Sequence, residues 1–64
     1  VRLIRFTEIH TGRDVLINPN HVIAVSTDHN GDQLIHLSNE SLWAVIADSI
    51  YEIAEKLELG LNSP

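Results

Sequence analysis

Short apolar runs of strand period fill the first two thirds of this chain, and one stripe of helical period fills the rest. Leu3, Ile4, Phe6 and Ile9, with the strand former Thr7, predict a first strand over residues 2–10. Thr11-Gly12-Arg13-Asp14 reads as a turn in which Gly12 is free to take positive φ. A short second strand follows over 15–17. Asn18-Pro19-Asn20 then punctuates the chain, because Pro19 has no N–H to give a central ladder. A third strand spans 22–27 and a fourth 33–37. Between them, Asn30-Gly31 predicts a two-residue type I′ turn, with both residues at positive φ, and so an antiparallel hairpin. Ser38-Asn39-Glu40-Ser41 makes the next turn and 42–46 the last strand.

The helix carries its own start and stop. Ser49 and Glu52 have the spacing of a capping box, and Asp48 and Glu52 set negative charge at the positive end of the helix dipole. Ile50, Ile53, Ala54 and Leu57 form one stripe at helical spacing. Gly60 reads as the left-handed residue that ends the helix. The fold class is therefore α+β: a small, mostly antiparallel sheet of four to five strands followed by one C-terminal helix. Residues 1–61 form a single domain and 62–64 a tail.

One helix covers one face of such a sheet. Yet Ile35 and Leu37 oppose Leu34 and His36, while Trp43 and Val45 oppose Leu42, Ala44 and Ile46. Leu3-Ile4 and Val22-Ile23 are adjacent apolar pairs. Apolar residues on both sides of a strand predict burial on both faces. A second copy of the chain is the simplest cover, so a homo-oligomer, a dimer or larger, is expected. The competing reading is a monomer with a strongly coiled sheet, in which bulges explain the doubled positions.

Composition narrows the function. With no Cys among the 64 residues, disulfides and thiolate zinc sites are excluded. Small domains without such staples often oligomerise. No apolar run approaches the roughly 18 residues of a membrane span. No basic segment precedes an apolar core, so no signal peptide is expected and the chain reads as cytoplasmic. The net charge is −5, and Arg2, Arg5, Arg13 and Lys56 are the only Lys or Arg residues. That is a poor footprint for phosphate neutralisation, which argues against nucleic acid as a partner.

Candidate chemistry is sparse. The four histidines, His10, His21, His29 and His36, lack the spacing of metal-binding pairs and fall on different elements. His36, in mid-strand, is the one that symmetry would bring together with its copy. Glu8, Asp14, Asp28 and Asp32 lie at strand ends and turns, where carboxylates are solvated. No nucleophile elbow or phosphate loop is present. No enzyme activity, cofactor or metal is expected. Trp43, the only tryptophan, belongs by type in a core or an interface. Exposed beside His36 or Arg5, it would stack on a planar ligand or anchor a partner. Tyr51, in the first helical turn, raises the same question. Leu34, His36, Trp43 and Arg5 are thus the candidate interface or ligand contacts.

The succession of Gly12, Leu16-Ile17-Asn18, Val22, Val25, Ile35-His36-Leu37-Ser38-Asn39, Val45, Ser49, Glu52-Ile53 and Glu55-Lys56-Leu57 resembles the FlbD/SwrD family of small bacterial proteins. That family is associated with flagellar operons and swarming. The resemblance covers most of the chain and rests on apolar positions, turns and a helix cap. It departs after Asn39, where the family tends to have Gly and basic residues and this chain has Glu40-Ser41-Leu42. It departs again before the helix, where a Lys is common in the family and Ala47-Asp48 stand here. The resemblance implies a motility-associated accessory protein. The strand-to-helix ending also looks like the LytTR type of DNA-binding domain, which is longer and has basic contact loops that this chain lacks. The expected function is a non-catalytic, self-associating interaction module with an unknown protein partner. The alternative is a phage-type small-molecule binder that takes nucleotides at subunit interfaces, with Arg2, Arg5 and Arg13 clustered across subunits.

Overall fold

A computed structural model describes residues 1–63. Its elements are β1 (Ile4–Thr7), β2 (Asp14–Ile17), a 3₁₀ turn (Pro19–His21), β3 (Val22–Thr27), β4 (Gln33–Leu37), β5 (Leu42–Val45) and α1 (Ile50–Leu61). The architecture is α+β with antiparallel pairing throughout, but the strands form two sheets rather than one: β1–β2, and β3–β4–β5. The sheets meet where Ile46 N–H donates to Thr7 O and Ile9 N–H to Ala44 O, each at 2.9 Å, around a single Glu8–Val45 bridge. The first strand is shorter than predicted because Glu8 turns the chain. Its carboxylate accepts from His10 N–H at 2.7 Å and Thr11 N–H at 3.0 Å.

Local chemistry explains most of the joints. Gly12 takes φ 71° in the β1–β2 turn, as its lack of Cβ allows. Asn18 Oδ1 accepts from Asn20 N–H at 2.9 Å, capping the 3₁₀ turn that opens at Pro19. The β3–β4 hairpin forms as expected, but not through a two-residue type I′ turn. Gly31 N–H donates to Asp28 O at 3.0 Å, and Asp28 Oδ1 accepts from Asn30 and Asp32 N–H, both at 2.9 Å. Only Gly31 has positive φ, at 87°. The Asp28 side chain thus closes a longer loop in which Asn30 keeps ordinary φ. The β4–β5 loop follows the same plan: Glu40 N–H donates to Leu37 O at 3.1 Å, and Glu40 takes φ 68°.

Two side chains from each sheet and two from the helix make the core: Phe6, Ile17, Ile35, Val45, Ile53 and Leu57. Burying each stabilises the fold by roughly 1.5–3 kcal/mol. Gln33, the buried polar residue, is satisfied by the Thr27 hydroxyl, which donates to its Oε1 at 2.7 Å. The helix packs mainly on β3, the 3₁₀ turn and β1. Ser49 caps it by accepting from Glu52 N–H at 3.3 Å, and Glu52 reaches back to Asp48 N–H at 2.9 Å, one residue beyond the usual box partner. Lys56 pairs with Glu52 at 3.4 Å and lies 5.8 Å over the Phe6 ring.

Two sequence expectations for the helix are corrected. Ala54 is exposed rather than part of the buried stripe. Gly60 does not end the helix; it is buried inside the last turn, and Asn62 is the cap residue. A Cβ at Gly60 would lie 2.8 Å from two Ile4 side-chain carbons and 2.9 Å from Arg2 O. Glycine is there because the lead-in to β1 crosses the helix, with Arg2 N–H donating to Gly60 O at 2.9 Å. Of the expected tail, Asn62 and Ser63 are tied down, Ser63 Oγ donating to Leu59 O at 2.9 Å; Pro64 lies outside the described residues.

Candidate functional site

Strand register assigns the faces. In the three-stranded sheet, Gln33, Ile35 and Val45 are buried, so residues of the same parity and their cross-strand partners face the core. The opposite face carries two rows, Ala24–His36–Leu42 and Ser26–Leu34–Ala44. Leu34 and His36 are therefore neighbours on the outer face, as parity predicts. The Ser26 hydroxyl and His36 Nε2 are hydrogen-bonded at 2.8 Å, which ties up the polar pair within the face. Leu42 is 53% exposed.

The other two candidates lie elsewhere. Trp43 pairs with Ile35 and stands on the inner face, so it does not adjoin the His36 side chain across the sheet. Arg5 pairs with Leu16 in the two-stranded sheet, and both are exposed. The doubled positions also divide. Ile23 sits at the β3 bulge and Leu3 precedes β1; both are exposed, and neither marks a second buried face. Leu34, Leu42 and Ala44 do belong to an outer apolar surface.

That surface floors a shallow cleft of about 470 Å³, which Trp43 also borders, with Glu8, His10, Asp28 and Asp32 around it. Two of the acids already serve turns. Backbone N–H groups, chiefly that of His10, hold the Glu8 carboxyl below its ordinary value. The Asp28 oxygens are drawn into the hairpin loop.

A second concavity, of about 440 Å³, opens on the inner side between β2 and the β4–β5 loop. Val15, Ile17, Leu37 and Trp43 supply its apolar walls. Asn18, Ser38, Asn39 and His21 supply polar groups, and no Asp, Glu, Lys or Arg lines it. On its other side Trp43 and Val15 also border a smaller hollow of about 290 Å³ beside Arg13. Sequence reasoning singled out Trp43 but missed Asn18 and Asn39, which read there only as turn residues. Among the described residues, no group of three His, Asp or Glu side chains is arranged to hold a metal ion. Nor, among the described residues, is any helix long and apolar enough to cross a membrane.

No family model, curated protein or solved structure matches this chain.

Proposed function

We propose that the chain is a non-catalytic interaction module that self-associates through the outer face of β3–β4–β5. One observation carries the reading. The chain has 4 Lys or Arg and 9 Asp or Glu residues, yet none stands among Ala24, Ser26, Leu34, His36, Leu42 and Ala44. A solvated antiparallel face ordinarily alternates polar-out, with charge. For a chain of net charge −5, an acid-free patch is also where two copies approach with least repulsion. The resemblance to the FlbD/SwrD family supports a motility-associated setting. A nucleotide ligand has less support. Arg2 lies beside the helix end, Arg5 on β1 and Arg13 in the β1–β2 turn.

Sizing tests the self-association. Light scattering on the purified chain is expected to give a dimer or larger at micromolar to millimolar concentration. Leu42→Asp, at an exposed position, is expected to give a folded monomer. Because Glu8, Asp28 and Asp32 rim the face, association should tighten as salt screens them. A wild-type chain that stays monomeric at millimolar concentration in high salt overturns the reading.

A further inference from the structure

The inner face has an opening that the helix does not fill. We propose that the 440 Å³ groove beside Trp43 binds a neutral, planar heterocycle of nucleobase size that carries hydrogen-bond acceptors. Four observations support this. The volume falls within the range of about 300–1,000 Å³ usual for small-molecule sites, and the walls are apolar with a few polar groups, as such sites require. Trp43 is partly buried, packed against the core on one side and bordering open space on the other, so a flat ring has a stacking partner held in place. The lining has no formal charge, which disfavours phosphate and carboxylate ligands and favours a neutral one.

The fourth observation selects acceptors. Asn39 Oδ1 accepts from Ser41 N–H at 3.0 Å, and Asn18 Oδ1 accepts from Asn20 N–H at 2.9 Å. Each amide oxygen already accepts one turn N–H, which fixes the side chain. The wholly uncommitted group that each asparagine offers a ligand is its NH₂, a donor. A ring bearing carbonyl oxygens or unprotonated nitrogens satisfies those donors. A purely apolar occupant, such as an aliphatic side chain of a partner, leaves them buried and unpaired, which is costly. The site lies on the face opposite the proposed self-association surface and does not depend on it.

Trp43, the only tryptophan, reports binding, and a map of resonance shifts tells this groove from the outer cleft that Trp43 also borders. Caffeine is a suitable probe because it is flat and neutral and has acceptors but no donors. Titration is expected to quench Trp43 fluorescence saturably, with half-saturation near 1 mM, the affinity expected of a ligand with so few atoms. Asn39→Asp and Asn18→Asp keep the turn-capping oxygen and lose the donors; each is expected to weaken caffeine by about tenfold while the fold is retained. Adenosine should bind, and adenosine monophosphate no tighter. On the wild-type chain, nuclear magnetic resonance should place the caffeine-induced shifts at the Trp43 indole and the two asparagine side chains. Quenching that rises linearly without saturation, equal affinity in folded Asp variants, shifts confined to Leu34 and Leu42, or tighter binding of the monophosphate would each overturn the proposal.

Discussion

Glu40 and Gly31 occupy equivalent places in successive hairpin loops, and only one of them suits its backbone. Each follows a turn closed by an N–H···O bond to the residue three back, and each has positive φ, 68° and 87°. A left-handed conformation costs a residue with a Cβ about 1–2 kcal/mol, and glycine almost nothing. Glycine gives part of that back through the entropy of the unfolded chain, about 0.5–1 kcal/mol. Glu40 is exposed, so truncating it sacrifices no packing. Glu40→Gly is therefore expected to stabilise the fold by about 0.5–1 kcal/mol, a rise of a few degrees in Tm for a domain of this size, measured by thermal or urea unfolding. Gly60 shows the other reason for glycine. Its value comes from the closeness of Ile4 and the Arg2 carbonyl, not from its own dihedral angles.

At the scale of elements, two carboxylates hold junctions together. Glu52 ties the start of α1 to Asp48, and Glu8 ties the end of β1 to the turn that follows. Both carboxyls titrate below the ordinary glutamate value of 4.5. For Glu52 the main cause is the Asp48 N–H, with Lys56 adding to it; for Glu8 it is the His10 N–H. A depressed native pKa means that the stabilisation is present above the ordinary carboxylate range and is lost as pH falls through the native value. Unfolding free energy should thus fall on acidification below about pH 5, and the Glu8→Gln/Glu52→Gln double variant should show a shallower decline. Denaturant titrations between neutral and acid pH measure both slopes. The same elements show how far the chain was legible. Strands β3 and β4 and the Ser49 cap follow from local residue type and were predicted residue for residue. The type of the 28–32 loop was not, because Asn30 permits positive φ without requiring it. The division into two sheets and the role of Gly60 depend on contacts between residues far apart in sequence. For the candidate site, parity alone puts Leu34 and His36 on one face. The position of Trp43 on the other face follows only from its pairing with Ile35 across a turn, and local pattern does not settle that register.

Over the whole molecule, the question is whether a second copy completes an unfinished core or adds to a finished one. The radius of gyration is 10.9 Å, close to the roughly 10.7 Å expected for a compact chain of this length. Both sheets and the helix already contribute to one core, and among the described residues no buried side-chain N or O atom lacks a partner. A single copy is therefore a closed fold, and the proposed association would add burial outside that core. Two consequences separate this from an obligate dimer. If the proposed face associates, binding between native copies stabilises them by mass action, so Tm should rise with protein concentration for the wild-type chain. In Leu42→Asp the charge on the outer face should abolish that dependence while leaving a cooperative transition at the wild-type Tm extrapolated to dilute solution. Leu42 is 53% exposed, so the substitution removes little from the monomer itself. Scanning calorimetry over about a hundredfold range of concentration checks both expectations. A wild-type Tm that does not vary with concentration rules out association through this face. A Leu42→Asp chain that does not fold shows instead that the outer face is part of the core.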